Sequence, residues 1–244
     1  MVAGRGWNTK MQNTILAIDT ATHACSAALQ IGTKIIAIEN LELSAKKNSE
    51  LILEMVQQLL NKANLSLKDL DAIAFGKGPG SFTGIRLAAS IAQGLCFGAN
   101  LPASGISTLQ AIAQRAHREF KINNALVAYD AHMQELYWAA YITDTNGIMQ
   151  PLIPDMLCKP DNLFLPGSLD NYQWHGIGNA WEVYQLKKQC SEKKVNLLTI
   201  KPDSYSSAHD IAMLAALQYQ QGAMVKAAEI TPIYLQNNLY EKQN

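Results

Sequence analysis

The order of strand-like and helix-like segments limits the possible folds of this chain more than any other feature of its sequence. Short apolar runs typical of buried strands occur at residues 14–21, twice within 25–43, and again at 71–76. Between them, residues 48–66 repeat apolar side chains at i, i+3, i+4 and i+7, which is the pattern of an amphipathic helix. Three strands followed by alternating helices and strands predict a mixed α/β fold, built on a five-stranded sheet with helices on its faces.

The second half of the chain is patterned at its ends and irregular between them. Residues 109–120 and 207–222 have helical periodicity, and the runs at 124–131 and 135–143 predict a hairpin with Asp130 at its tip. The other predicted elements are a helix at 83–99, a short strand within 101–107, a strand at 174–177 and a helix over 179–189. These elements predict a second αβ unit that begins near residue 108.

This order of elements divides the chain into two lobes. We expect an N-terminal lobe at residues 11–107, completed by the helix at 207–222, and a second lobe at 108–206. Residues 1–10 precede a second methionine and are expected to form a disordered leader, and residues 223–244 a C-terminal tail.

Charge and composition narrow the class of protein. Hydrophobic residues make up 48% of the chain, which is enough for a substantial core. Lys and Arg together number 20, as do Asp and Glu, and the sequence contains no basic stripe. Because phosphate contacts dominate the affinity of proteins for nucleic acids, we expect any role with nucleic acid to depend on a partner.

The spacing of the cysteines and the length of the apolar runs indicate the cellular compartment of the protein. The four cysteines are far apart and form no CxxC pair, so neither a zinc site nor a disulfide scaffold is expected. No apolar run reaches the length of about 18 residues that a membrane span needs, and the first ten residues lack the apolar stretch of a signal peptide. These features predict a cytoplasmic protein with free thiols.

The stretch GKGPGSFTGIRL, residues 76–87, raises the question of phosphate binding. Glycines ahead of a helix can present backbone N–H groups to an anion, and an acidic side chain nearby could organise magnesium. The candidate phosphate-binding residues are Asp19, Gly78, Gly80, Ser81 and Thr83. The P-loop and dinucleotide fingerprints are both incomplete, so a tight connection capped by Ser81 or Thr83 is the alternative interpretation.

Other catalytic signatures are missing from the sequence. No serine lies in a GxSxG elbow, and the five histidines form no HxxxH or HExxH pair. Tyr137 and Trp138, which follow Asp130, could line a ligand site, although an aromatic strand in a core is the commoner arrangement.

Several motifs together resemble one known family. The segments ILAIDTATHACSAAL, LDAIAFGKGPGSFTGIRLAASIAQGL, DAHMQELYWA and PIYLQ occur in the order found in the TsaB (YeaZ) family, and the resemblance spans about residues 13–236. Its most specific part is the GxGPGSFTGxR block at Gly76–Arg86. The resemblance implies an actin-like (ASKHA) fold of two lobes, each with a mixed five-stranded sheet and flanking helices.

The resemblance also implies a function and partners. It implies a non-catalytic protein of the bacterial machinery that makes N6-threonylcarbamoyladenosine in tRNA beside the anticodon. Such a protein would pair with TsaD, which transfers the threonylcarbamoyl group, and would work with the ATPase TsaE and with TsaC, contacting tRNA only indirectly. No cofactor is required of this chain, although ATP or ADP with magnesium could lie at the complex interface.

The implied contact with TsaD uses the helices at about 48–63 and 83–98, which pair with the same two helices of TsaD. The interface residues expected here are Leu51, Glu54, Met55, Gln58, Arg86, Ala89, Ser90 and Gln93. Because apolar positions on these helices would be exposed without TsaD, we expect a homodimer in its absence.

The sequence also departs from the family, and two alternative functions stay open. Residues 48–50 read Asn-Ser-Glu where the family often has His-Ser-Glu, and His132 and Met133 stand where basic residues are usual. One alternative is a weak ATPase or kinase of the actin-like class that uses Asp19 and the loop 78–81. The other is a metallopeptidase, which the missing HxxxH and HExxH pairs argue against.

Overall fold

The computed structural model describes residues 13–41, 48–165 and 171–235, which form ten strands and six α-helices. The strands are β1 (Thr14–Asp19), β2 (Cys25–Ile31), β3 (Lys34–Asn40), β4 (Ala72–Gly78), β5 (Ala103–Ser107), β6 (Asn124–His132), β7 (Glu135–Thr143), β8 (Met149–Cys158), β9 (Trp174–Ile177) and β10 (Leu197–Lys201). The helices are α1 (Asn48–Ala63), α2 (Phe82–Ala99), α3 (Thr108–Phe120), α4 (Ala180–Val183), α5 (Lys187–Glu192) and α6 (Ala208–Gln220).

The strands form two sheets with the same topology. The first sheet has the order β3-β2-β1-β4-β5, and the second has the equivalent order β8-β7-β6-β9-β10. In each sheet the first three strands are antiparallel and the last two are added in parallel. Two such mixed five-stranded sheets with flanking helices constitute the actin-like architecture, which confirms the predicted fold class.

The first sheet is covered by helices on both faces. Leu16 and Ile18 of β1 lie in the core that includes α1 and α2, whereas Ile15 and Ala17 lie in the core that includes α6. Since alternate residues of a strand point to opposite faces, a strand covered on both sides must be apolar throughout. This explains why β1 reads as an unbroken apolar run that ends at Asp19.

The two helices that follow the sheets are exchanged between them. Helix α3 follows β5 of the first sheet but packs on β6, β7 and β8 of the second. Helix α6 follows β10 of the second sheet but packs on β1, β2 and β4 of the first. The two helices also contact each other, so they form the centre of the molecule between the sheets.

The other face of the second sheet carries a core of large aromatic side chains. Trp138, Trp174 and Trp181 are buried there, and the indole N–H of Trp181 donates to the backbone oxygen of Leu126 over 3.1 Å. A buried tryptophan needs a partner for its N–H, so this bond fixes the short helix α4 against β6.

The structure confirms most of the predicted elements, adds two strands and corrects one helix. Strands β8 and β10 were not predicted, because they lie in the stretch that has no clear pattern. The single helix predicted over 179–189 is wrong: α4 and α5 are separated by a turn in which Gln185 has φ +51°.

Some predictions concern parts of the chain outside the described residues. These are the disordered leader at 1–10 and the part of the C-terminal tail from residue 236 onward. Among the helices that the structure describes, none combines the length and the apolar character of a membrane span.

Candidate functional site

The segment of residues 76–84, which joins β4 to α2 and which we call the glycine loop, is packed against the turn that follows β1. The backbone N–H of Ser81 donates to the carbonyl oxygen of Ala21 over 2.8 Å, and the hydroxyl of Thr20 donates to the carbonyl oxygen of Gly84 over 2.7 Å. Ser81 is the N-cap of α2, and its side-chain oxygen accepts from the N–H of Gly84 over 3.3 Å. The predicted cap is therefore present, with Ser81 rather than Thr83 as the capping residue.

Two glycines are required by this close packing: Gly80 lies between β4 and α2, and Gly84 lies in the first turn of α2. A Cβ atom at Gly84 would lie 1.9 Å from the carbonyl oxygen of Thr20, and one at Gly80 would lie 2.3 Å from that of Ala21. Both obstacles are backbone atoms, which cannot move aside as a flexible side chain would. The glycine-rich block thus serves contact between two segments of the same chain.

Asp19 is fully buried at the end of β1, and its carboxylate is engaged within the chain. One oxygen accepts from the N–H of Ala21 over 2.9 Å, and the other accepts from the hydroxyl of Ser206. Burial raises the pKa of Asp19 to about 6, against the opposing effect of these hydrogen bonds. Gly76 lies so close that a Cβ there would be 2.3 Å from the carboxylate.

The structure brings the five candidate phosphate residues into one region, but most of their polar groups already have partners. Asp19 and Ser81 are linked through Ala21, which donates to the first and accepts from the second. Thr83 is exposed at the start of α2. Phosphate or magnesium binding at these residues stays a prediction, and the contacts within the chain do not favour it.

A group of aromatic and charged side chains joins helix α3 to the first sheet and to the segment before α6. The His23 ring packs edge-on against Tyr205 at a centroid distance of 4.7 Å, and the Arg115 guanidinium lies 4.1 Å from the centroid of the same tyrosine. Arg115 also pairs with Glu39 of β3 at 3.4 Å. These contacts connect α3, the first sheet and the segment before α6.

The predicted hairpin is present, but its turn lies beyond Asp130. His132, Met133 and Gln134 all have positive φ angles, and the carboxylate of Asp130 accepts from the N–H of His132 over 2.9 Å. Trp138 is fully buried in the core, so it cannot line a ligand site with its neighbours.

Within residues 13–41, 48–165 and 171–235, no three histidine, cysteine or acidic side chains are grouped as metal ligands would be.

Helices α1 and α2 cover the same face of the first sheet, and their outer sides form an exposed surface that we call the α1–α2 face. Its members on α1 are Leu53, Glu54, Gln57 and Gln58, and those on α2 are Arg86, Ser90, Gln93, Gly94 and Phe97. Leu53 is 49% exposed and Phe97 is 84% exposed, although both are large apolar side chains. Neither residue was among the predicted interface residues.

The eight predicted interface residues fall into two groups. Glu54, Gln58, Arg86, Ser90 and Gln93 are exposed on the α1–α2 face, and Leu51 is half-buried at its edge. Met55 and Ala89 are instead packed in the core of the first sheet, where only 3% and 5% of their surfaces are exposed. A partner could therefore contact little of these two side chains.

The chain from residue 223 to 235, which we call the C-terminal strap, runs beside α2. Val225 pairs with Ala103 of β5, and the side-chain amide of Gln93 donates to the carbonyl oxygen of Ala227 over 3.0 Å. The strap ends on the glycine loop, where the N–H of Ile233 donates to the carbonyl oxygen of Lys77 over 2.7 Å. The strap thus lies along one edge of the α1–α2 face.

Comparison with known proteins agrees with this architecture. A model of the family described as TsaD, tRNA N6-adenosine threonylcarbamoyltransferase, matches residues 40–243. The Escherichia coli K12 protein named tRNA threonylcarbamoyladenosine biosynthesis protein TsaB is 37% identical over 230 residues, which are 94% of this chain and 97% of that protein. The protein of the same name from Haemophilus influenzae is 37% identical over 241 residues, which are 96% of this chain and 98% of that protein.

A solved structure, YeaZ from Pseudomonas aeruginosa, superposes with a TM-score of 0.80 at 32% identity and covers 91% of this chain and 100% of that one. The near-complete coverage at this identity confirms the resemblance seen in the sequence, and the glycine loop that carries it is part of the described fold. The chain belongs to the TsaB (YeaZ) family of tRNA threonylcarbamoyladenosine biosynthesis proteins.

Proposed function

We propose that this chain is an accessory protein in the synthesis of N6-threonylcarbamoyladenosine in tRNA, and that it acts by binding and activating TsaD. Family membership supports the pathway. The observation that carries the proposed mode of action is the exposed α1–α2 face, with Leu53 and Phe97 uncovered among polar side chains. Exposed apolar side chains within a polar surround are typical of protein–protein interfaces.

The small residues of α2 favour contact with another helix. A Cβ atom at Gly94 or Gly98 would meet nothing within 4 Å, so the surface of α2 is open at both positions. Without side chains there, a partner helix can approach the backbone closely, and Ser90 one turn earlier adds little bulk. Two helices of TsaD packed on this face would form a four-helix arrangement, and a stable contact would bury about 1,000 Å² or more.

We propose no catalytic role for the chain. The groups that suggested phosphate chemistry, Asp19 and the loop at Gly78–Ser81, are held in contacts between β1, the glycine loop and Ser206. With a formal net charge of zero, the chain is expected to contact tRNA only through its partner.

Further parts of the proposal rest on the family resemblance. TsaE is proposed as a second partner, and ATP or ADP with magnesium is proposed at the interface of the complex rather than on this chain alone. Since the substrate is tRNA, the proposed place of action is the cytoplasm. The proposed division into lobes keeps residues 11–107 with the helix at 207–222, and 108–206 as the second lobe.

Reconstitution tests this proposal. TsaC, TsaD and TsaE would be incubated with tRNA, threonine, bicarbonate and ATP, with and without this chain, and the modified nucleoside measured by mass spectrometry. We expect modification to depend on the chain, and we expect Ser90→Arg to lose it because a bulky cation would hold the partner helix away. The control is Lys159→Gln, a change at an exposed residue that follows β8 of the second sheet. Full modification without the chain would refute the proposal.

A further inference from the structure

Arg86 on α2 packs against two exposed aromatic rings, which also contact each other at a centroid distance of 5.8 Å. Its guanidinium carbon is 3.6 Å from the centroid of the Phe82 ring and 5.5 Å from that of Tyr234. Its Nε donates to the hydroxyl oxygen of Tyr234 over 2.7 Å. Phe82 belongs to the first turn of α2 and Tyr234 to the C-terminal strap, so two distant parts of the chain fix this one side chain.

The position of Tyr234 is fixed by the contacts of the preceding strap residue, Ile233. The N–H of Ile233 donates to the carbonyl oxygen of Lys77. The carbonyl oxygen of Ile233 is packed so closely on Gly78 that a Cβ atom at Gly78 would lie 2.9 Å from it. Gly78 has φ +102°, a conformation that other residues rarely adopt. The glycine loop therefore supports the strap on one side as it supports the β1–β2 turn on the other.

Within residues 13–41, 48–165 and 171–235, no carboxylate pairs with the outer end of the Arg86 guanidinium. Among the ion pairs of the described residues, Arg115 and Arg118 both contact carboxylates, whereas Arg86 contacts none. The rings beside Arg86 remain open to solvent, with Phe82 59% exposed and Tyr234 47% exposed. An arginine whose stem is already immobilised loses less conformational freedom when its forked end binds a carboxylate in two parallel hydrogen bonds.

We infer that Phe82, Arg86 and Tyr234 form a preorganised receptor for an aspartate or glutamate side chain of the partner protein, and that the C-terminal strap is part of the docking surface. This inference rests on the proposed function and adds to it the chemistry of the central contact. An arginine flanked by exposed aromatic rings is typical of the few residues that dominate the affinity of an interface. Charge complementarity then requires a carboxylate on the facing surface of TsaD.

Binding measurements with purified TsaD test the inference. Arg86→Gln removes the charge and should raise the dissociation constant roughly 30-fold, because the partner carboxylate would be buried unpaired. Arg86→Lys keeps the charge but loses the fork, and should raise it about 10-fold. Tyr234→Phe removes only the hydroxyl that positions the guanidinium, and should raise it about 3-fold. Lys159→Gln should leave it unchanged.

The salt dependence of the dissociation constant shows whether Arg86→Gln weakens binding by removing a charge contact or by changing the shape of the surface. The wild-type dissociation constant should rise with salt concentration, and Arg86→Gln should reduce that rise. The midpoint of thermal unfolding of each variant should match that of the wild type, since the side chains of Arg86, Lys159 and Tyr234 are all exposed.

A zero-length cross-link tests for the carboxylate directly. In the complex formed by the Arg86→Lys variant, a carbodiimide should join the new amine at position 86 to an aspartate or glutamate of TsaD, which peptide mass spectrometry would identify. Coupling only within this chain, or none in a formed complex, would overturn the inference.

The failures of the two proposals are distinguishable. If wild-type protein binds TsaD and Arg86→Gln binds equally well, the receptor is refuted and the docking function stands. If wild-type protein does not bind TsaD, the docking function is refuted and the receptor with it.

Discussion

Arg118 of α3 and Asp210 of α6 form two parallel hydrogen bonds between the helices that are exchanged between the sheets. The Nε atom lies 2.9 Å from one carboxylate oxygen, and Nη2 lies 3.0 Å from the other. Asp210 is fully buried, whereas the side chain of Arg118 is 30% exposed. This pairing fixes the relative position of the two helices that cover opposite sheets.

Replacing Asp210 should therefore destabilise the whole chain. In Asp210→Asn the new amide cannot accept both arginine N–H groups, so the free energy of unfolding should fall by about 2 kcal/mol, less than for a wholly buried pair because Arg118 reaches solvent. Urea denaturation would measure the change. The control is Lys188→Gln, which removes an exposed pair with Glu192 and should change the free energy by less than about 0.5 kcal/mol. Equal effects of the two changes would contradict the prediction.

The stability of the chain should depend on pH through Asp19. Burial raises its pKa to about 6 in the folded chain, from 3.8. Between these values the folded chain holds a proton that the unfolded chain has lost, so the free energy of unfolding falls as pH rises through this range and then levels off. The expected fall between pH 4 and pH 7 is about 2 kcal/mol.

Asp19→Asn isolates this contribution. The difference in unfolding free energy between wild type and variant should decline with rising pH from 4 to 6, because the other titrating groups cancel. A difference that stays constant, or that grows with pH, would show that Asp19 is not titrating in this way.

Two glycines of α2 should respond to alanine in opposite directions. Gly84→Ala places a Cβ 1.9 Å from the Thr20 carbonyl oxygen and should cost about 2 kcal/mol or more of stability, despite the better helix propensity of alanine. Gly94→Ala meets no neighbouring atom within 4 Å and should stabilise the chain by about 0.5–1 kcal/mol. Thermal unfolding of both variants would test this, and stabilisation by Gly84→Ala would mean that the glycine loop is not packed on the β1–β2 turn.

Without TsaD, the α1–α2 face should bind a second copy of the chain. Leu53 and Phe97 remain uncovered in the monomer, and burying them in a dimer removes apolar surface from water. Light scattering at high micromolar concentration should give the mass of a dimer, and Phe97→Lys should shift it toward the monomer. A wild-type monomer at these concentrations would contradict the prediction.

The local pattern of apolar residues was sufficient to predict the strands of the first sheet, but it did not reveal the edge strands of the second sheet. Strands β1 and β4 are buried and apolar, so their boundaries were visible in the sequence. Strand β8 is an edge strand that contains Pro151 and Pro154 and has irregular pairing with β7, so it lacks the alternation by which a strand is recognised. Strand β10 is also an edge strand, and only five residues long.

The site was predictable only where neighbouring residues in sequence remain neighbours in space. Ser81 as a helix cap follows from its place before α2, and the exposure of Ser90 and Gln93 follows from helical periodicity. The cluster of Phe82, Arg86 and Tyr234 does not, because Arg86 and Tyr234 are 148 residues apart. A tyrosine in the late PIYLQ motif was the available signal, and its contact with α2 depends on the path of the strap.

The exchange of α3 and α6 has a consequence for how the chain must be made. A fragment that stops after β5 has no helix to cover one side of its sheet, since α6 is synthesised only after all the strands of the second sheet. The first hundred residues emerging from the ribosome therefore carry a bare apolar surface until α6 has been synthesised, and co-translational folding of the N-terminal portion must wait for that helix.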